Sequence, residues 1–538
     1  MFDVTQRYKL GDSPPRRSLA EGPRHLGMSR EGRFFAMRQM FAVFTLLSFL
    51  APIGVKGNDI RPNVLFIAVD DLRPELGCYA RSHIKSPHTD RLANRGVTFT
   101  RAYCQMASCC PSRSSLLTGL PPDVTQVYGN HTHFREHVPD VVTLPQHFKQ
   151  HGYHTQALGK IFHGAYETAH GGRAMDDAPS WSEPTWFGSQ RNYFSPQGIA
   201  SAKKEFARKS GKRGAALEAW VEEPIRSLAM EAPDVADDVL YDGAMTNRAV
   251  ETLRQLKEKR QPFFLAVGYT RPHLPLVAPK KYWDLYDPER IELAEHDALP
   301  QSAPEQAASP SELRNYTGMP RSGPLTPEQA RHVRHGYYAC ISFVDAQIGR
   351  LLDELDRQGL SENTIIVLWG DHGWHLGEFG LWGKNTNFED ATRVPLIVVD
   401  PRVKSARETK CNALVGLIDL YPTLCELAGL ARPNHLAGES FARALTDPKL
   451  SVRKAVFSQH PRPGFTNFTT MGYSIRTDRH RLTLWQSVTG PRKTEAIELY
   501  DYQIDPLGIR NVANDDDRRA LIEELSQQLQ LAVKQWKE

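Results

Sequence analysis

The sequence is short of the features that mark nucleic-acid binding, membrane spanning and disulfide stapling. Lys and Arg total 66 against 62 Asp and Glu, leaving a formal net charge of only +4 over 538 residues. That mild basic balance suits an acidic substrate but makes no clustered footprint for a nucleic acid. Seven cysteines occur, none in a Cys-x-x-Cys pair, which argues against a zinc ribbon. The most apolar run, residues 40–53, is too short for the ~20 residues of a spanning helix. No internal repeat is present, and biased composition is confined to the N-terminal extension. What remains is an ordinary globular composition, 40% hydrophobic and 24% charged, in a chain long enough for one large domain with a satellite.

Residues 1–36 are rich in Arg, Gly, Pro and Ser without apolar periodicity, and read as a disordered extension or a start-site artefact with Met37 as the true start. Arg38, the apolar run and the small residues Gly54 and Gly57 have the layout of a signal peptide over 37–57. The expected product is secreted or periplasmic, with no stable membrane span after cleavage.

Asn63-Val64-Leu65-Phe66-Ile67-Ala68-Val69-Asp70 is a continuous apolar run ending in a carboxylate pair, the pattern of a parallel strand buried on both faces. Residues 262–268 and 364–370 repeat it, each after an amphipathic stretch, near 241–258 and 337–358. The expected fold is α/β, a mainly parallel central sheet sandwiched by helices, with a smaller α+β C-terminal subdomain. The boundaries read as 58–445 for the catalytic α/β domain and 446–538 for the subdomain, the latter with strands near 454–458 and 473–485 and a helix near 516–536. Residues 164–235 interrupt the rhythm as a loop-rich insertion whose basic stretch, 203–213, reads as a solvated surface excursion. In such sheets ligands collect at the carboxyl ends of the strands.

Cys109-Cys110-Pro111-Ser112-Arg113, followed by Leu117-Thr118-Gly119, is the sharpest signal in the chain. It resembles the signature of the type I sulfatases, of the alkaline-phosphatase superfamily, in which a formylglycine-generating enzyme oxidises the first Cys to an aldehyde. Asp371-His372-Gly373-Trp374 further resembles the iduronate-2-sulfatase branch. The resemblance runs from about Asn63 to Asp505-Pro506 and implies a hydrolase of sulfated carbohydrates. Hydrated formylglycine is a geminal diol: one oxygen attacks sulfur, and the other later loses its proton to expel sulfate.

Asp70, Asp71 and Asp371 lie at ends of buried-strand patterns, so hard oxygen ligands for Ca²⁺, with Mg²⁺ as the alternative, can converge there. The resemblance adds Cys109 and His372 to that metal set, although an imidazole is a softer ligand than Ca²⁺ prefers. It also implies that Arg113 bridges the diol and the metal ligands, and that Lys160 holds the diol and sulfate. His163 accepts the diol proton, His273 protonates the leaving alcohol, and Lys384 binds a sulfate oxygen. Arg476 is a further candidate substrate contact. Of the six remaining cysteines, Cys411 and Cys425 are the first pair to test for a disulfide. Two rivals stay open: a phosphodiesterase or phosphonate hydrolase of the same superfamily, and a non-catalytic binder of sulfated glycans.

Overall fold

An unbroken apolar run cannot present a polar face, and residues Asn63–Val69 accordingly form a strand, β1, buried on both sides. The computed structural model describes residues 61–163, 176–189, 191–211, 214, 226–309, 311–404 and 407–536. The extension 1–36 and the signal segment 37–57 lie outside the described residues. The remaining strands of the central sheet are β2 (Val97–Tyr103), β3 (His154–Gly159), β4 (Phe263–Tyr269), β5 (Thr364–Gly370), β6 (Arg393–Val399), β7 (Thr409–Cys411) and β8 (Val415–Gly416). Their order is β7-β2-β6-β5-β1-β4-β3, with β8 also on β2. Only β6 runs against its neighbours in this sheet.

Side chains of β1 alternate between two cores, as the period of two demands. Leu65, Ile67 and Val69 pack on one face with Met245 and Val344; Val64, Phe66 and Ala68 pack on the other with Leu116 and Leu424. The short helix α1 (Cys109–Thr118) covers the second face, whereas α2 (Tyr241–Lys259) and α3 (Pro327–Arg357) cover the first. Helix α3 begins ten residues before the 337 expected from apolar periodicity. Its first turns are polar, and the start is fixed instead by Pro327 and by Thr326, whose side chain accepts from the Gln329 N–H in a capping box.

Downstream, β9 (Ala455–Arg462), β10 (Thr470–Thr477), β11 (His480–Ser487) and β12 (Thr494–Asp501) make an antiparallel sheet in sequence order. Helix α4 (Arg519–Gln535) buries Leu525, Leu529 and Val533 against its Ile475, Leu482 and Leu499. The stretch 473–485, expected as a single strand, is two strands that reverse at Asp478-Arg479. In the basic stretch Lys204, Arg208 and Lys209 are exposed as expected, but the segment is not a loop. Residues Pro196–Ser210 are a helix, capped by Ser195, whose side chain accepts from the Gly198 N–H, with Ala202 and Phe206 on its buried face.

The sheet aligns its working ends. Val69 is level with both Tyr269 and Gly370, and Gly159 with Gly268. Gly268 is needed there, because a Cβ would lie 2.1 Å from the Lys160 carbonyl oxygen.

Candidate active site

Four neighbouring parallel strands, β5, β1, β4 and β3, end on one edge of the sheet, and the chain carries Asp371, Asp70-Asp71, Thr270–His273 and Lys160 just past those ends. Helix α1 starts at the same edge. Cys109 is its first residue, fully buried, behind Ser108 in extended conformation. The partial positive charge of a helix N-terminus favours an anion at this position.

Arg113, one turn along α1, ties the strand ends together. Its Nε donates to Asp371 Oδ2 at 2.8 Å and its Nη2 to Asp70 Oδ1 at 3.3 Å. Its Nη1 donates to the carbonyls of Ile161, at 3.0 Å, and Lys160. Lys160 Nζ in turn donates to Asp70 Oδ2 at 2.6 Å. Asp71 adopts a left-handed backbone, φ 60°, and its N–H donates to Asp371 Oδ1 at 3.0 Å. The hydroxyl of Tyr337 on α3 braces it by donating to its carbonyl. Strain of this kind persists only where surroundings over-determine it.

Lys384 arrives from the loop between β5 and β6. Its ammonium lies 2.7 Å from Asp71 Oδ1 and 3.5 Å from Cys109 Sγ. His372 Nε2 is 3.3 Å from the same sulfur, while its Nδ1 is 2.9 Å from the Gly373 carbonyl. His273 is set by a tight turn in which Asp242 accepts from the N–H groups of Thr270 and Arg271, each at 2.9 Å. His163 hydrogen-bonds Cys109, so the ten residues expected as catalytic or metal-binding fall in one cluster. Arg476 does not join it: its Nε donates to Glu389 at 3.2 Å and its guanidinium stacks on Tyr502, so it serves packing. Cys411 and Cys425 are buried free thiols and are not joined to each other, and Cys104, Cys109 and Cys340 are likewise buried free thiols.

Two groups escaped the sequence reading. Glu312, in a short turn of 3-10 helix over Glu312–Asn315, places Oε2 3.2 Å from Lys384 Nζ. Asp242, which holds the His273 turn, lies in the first turn of α2. Neither sits in a motif, and no periodicity marks them.

The electrostatics separate the imidazoles. Burial lowers the pKa of His163, and Lys160 lowers it further, which keeps this ring neutral and able to accept a proton. For His273 burial and Lys384 work in the same direction, but Asp71, Asp70 and a hydrogen bond to Cys109 outweigh them and the pKa is raised. Burial would push the Cys109 thiol up, yet Lys160, Lys384 and His372 hold it well below its ordinary value.

The donor set fits a divalent cation. Ligand atoms of Asp70, Cys109, Asp371 and His372 lie within 4.8 Å of one another, as do those of Asp70, Asp71, Cys109 and His273. Asp71 Oδ2 is buried without a hydrogen-bond partner, and burial pushes the Asp371 carboxyl up to about 7. Buried carboxylates under such strain are relieved by a hard cation.

Residues 62–430 match the family model described as sulfatase, and residues 377–535 that of the C-terminal region of N-sulphoglucosamine sulphohydrolase. Human iduronate 2-sulfatase is 35% identical, covering 84% of this chain and 91% of that protein. The mouse protein of that name is 34% identical, covering 86% and 93%. A sulfatase of Formosa agariphila is 32% identical, covering 86% and 85%. Among solved structures, the phosphonate monoester hydrolase of Agrobacterium radiobacter superposes with a TM-score of 0.68 at 24% identity, covering 88% of this chain and 96% of that one. A protein solved in complex with its substrate D-glucosamine-2-N,6-O-disulfate also gives 0.68, at 22% identity, covering 89% and 98%.

Proposed function

The chain belongs to the sulfatase family, and from that premise we propose that it removes 2-O-sulfate from iduronate-like uronic acid units of a sulfated carbohydrate, using formylglycine made from Cys109. As a family member it is a sulfuric ester hydrolase, of a family that generally uses formylglycine and a divalent metal. The observation that carries the finer reading is the placement of Cys109: a buried helix N-terminus ringed by Lys160, Lys384, Arg113, His163, His273 and three carboxylates. The iduronate 2-sulfatases among its relatives support the substrate class.

Oxidised by a formylglycine-generating enzyme and hydrated, residue 109 supplies a geminal diol whose oxygen is the nucleophile toward sulfur. Asp70, Asp71 and Asp371 with His372 and residue 109 would hold a divalent cation, Ca²⁺ on the preference of hard ions for carboxylates, which would supply positive charge beside the sulfate oxygens. Arg113, Lys160 and Lys384 offset the three carboxylates, so a bound dication leaves the pocket positive, as an anionic ester requires. Lys384 and Lys160 donate hydrogen bonds to sulfate oxygens. His273 protonates the departing sugar oxygen, and His163 takes a proton from residue 109 to release sulfate.

Residues 58–445 form the catalytic portion of this reading and 446–538 the C-terminal one. The segment 37–57 supports export, and no helix among the described residues is long and apolar enough to cross a membrane. The test is a panel of sulfated oligosaccharides with free sulfate as readout, alongside matched aryl sulfate and phosphate diester and mass spectrometry of the peptide holding residue 109. The reading expects aldehyde at 109, release from 2-sulfated uronates and no release by Cys109→Ala. An intact thiol in active protein, or faster cleavage of the phosphate diester, overturns it.

A further inference from the structure

Glu312 stands out because a carboxylate beside an anion site opposes substrate binding, and a buried one is costly to keep. It is locked in place. The Trp382 N–H donates to Ser311 Oγ at 3.0 Å, and a Cβ on Gly383, φ 149°, would lie 3.1 Å from the Glu312 nitrogen, so the two backbones pass in close contact. Its two oxygens face different cations. Oε2 is 3.2 Å from Lys384 Nζ, while Oε1 is 3.9 Å from His273 Nε2 and 3.9 Å from Arg226 Nη2.

The His273 ring orientation follows from one further contact. Its Nδ1 lies 2.6 Å from the Leu274 carbonyl oxygen. A carbonyl only accepts, so Nδ1 carries hydrogen and donates, and Nε2 is the nitrogen turned toward Glu312. Lys384 is pulled between Asp71 and Glu312, at 2.7 and 3.2 Å, with Cys109 Sγ at 3.5 Å. A single carboxylate thus spans the lysine and the imidazole that the proposed cycle assigns to the sulfate and to the leaving oxygen.

We propose that Glu312 is a positioning residue of the reaction, holding Lys384 and His273 on the leaving-group side of the scissile ester. The assignment rests on the sulfatase reading above. Because Glu312 acts through the group that protonates the leaving oxygen, its loss matters most where the leaving group needs a proton. A sugar alcohol does; a nitrophenolate does not.

The experiment compares wild type, Glu312→Gln and Glu312→Asp on a sulfated oligosaccharide and on 4-nitrophenyl sulfate, with Tm alongside. For Glu312→Gln the expected result is a kcat on the sugar sulfate lower by about 10- to 100-fold, with KM within about threefold or lower. On the aryl sulfate the expected loss stays under about threefold, because leaving-group protonation no longer limits. Glu312→Asp, whose charge is kept on a shorter stem, restores part of the sugar-sulfate rate and carries the same comparison if the Gln variant does not fold. Equal losses on both substrates, or a raised KM with unchanged kcat, overturn the assignment alone. No sulfate release from either substrate by wild type overturns the sulfatase reading and this assignment with it.

Discussion

Replacing Arg113 by lysine keeps the positive charge and removes the fork, and so isolates what the guanidinium geometry contributes. The native side chain is completely buried and serves four acceptors: Asp371 Oδ2 at 2.8 Å, Asp70 Oδ1 at 3.3 Å, the Ile161 carbonyl at 3.0 Å and the Lys160 carbonyl. An ammonium is a single point and cannot span two carboxylates on adjacent strand ends and two carbonyls beyond a third. At least two buried acceptors lose their donor, each costing about 1–3 kcal/mol. The sum, about 2–6 kcal/mol, is centred on the usual cost of breaking a buried ion pair, about 3–5 kcal/mol. Differential scanning fluorimetry should register it as a fall in Tm of about 3–5 °C, at roughly 1 kcal/mol per degree for a chain of this length. Activity should suffer more, because the two carbonyls belong to the loop that carries Lys160 and leads to His163. Displacements near 1 Å cost about 100-fold in rate. A variant with Tm within about 2 °C and kcat within about threefold of wild type would refute the role given to Arg113.

Four other predictions bear on different parts of the molecule. Exhaustive chelation should lower Tm and abolish sulfate release, with Ca²⁺ restoring both; full activity in demonstrably metal-free protein counts against the cation site. Since the Asp371 carboxyl is pushed up to about 7 and a ligand must lose its proton to bind metal, calorimetric affinity should weaken as pH falls from 8 to 6. Glu389, bound by Arg481 at 2.7 Å and Arg476 at 3.2 Å, is lowered from 4.5 to about 2. A lowered folded pKa stabilises above the unfolded value, so its contribution, at most about 3 kcal/mol, should be present above pH 4.5 and lost toward pH 2. Urea unfolding of wild type and Glu389→Gln should therefore differ most near neutrality and converge in acid; a constant gap would disprove the linkage. Gly268→Ala puts a Cβ 2.1 Å from the Lys160 carbonyl oxygen and should lower both Tm and kcat, with unchanged kinetics arguing against a role for this close approach.

The central sheet was legible because β1, β4 and β5 are continuous apolar runs, and each is followed at once by residues with chemistry: Asp70-Asp71, Thr270–His273 and Asp371. Parallel strands bring such residues to one edge regardless of their distance in sequence, so the pattern predicted convergence as well as secondary structure. What failed had local causes. Helix α3 starts at Pro327, where the exposed first turns carry Glu328, Gln329 and Arg331 and so show no apolar stripe; the Thr326 capping box was the usable signal. Arg476 was matched by resemblance, but its partner Glu389 lies 87 residues earlier, in the short helical turn before β6, a pairing that only the tertiary fold creates. Glu312 was invisible because an acid in an irregular segment carries no period, and its meaning comes entirely from the chain passing Gly383.

The fold leaves the choice of ester open, since the backbone superposes equally well on a phosphonate monoester hydrolase and on a protein solved with a sulfated glucosamine, with a TM-score of 0.68 for each. The discrimination has to come from side chains, and these divide by where the chain carries them. Asp70, Asp71, Lys160 and Asp371 follow strand ends and Cys109 opens α1, so the groups assigned to the transferred anion are held by the rigid sheet. His273 and Glu312, placed on the leaving-group side, and Lys384, which also reaches the sulfate, come from three separate loops that meet around Glu312. Loops can be altered without disturbing the sheet register. Exchanges within 270–275, 311–315 and 382–387 that keep His273, Glu312 and Lys384 should therefore change which alcohol departs while leaving the attack on sulfur intact, whereas changes at the strand ends should impair every substrate alike.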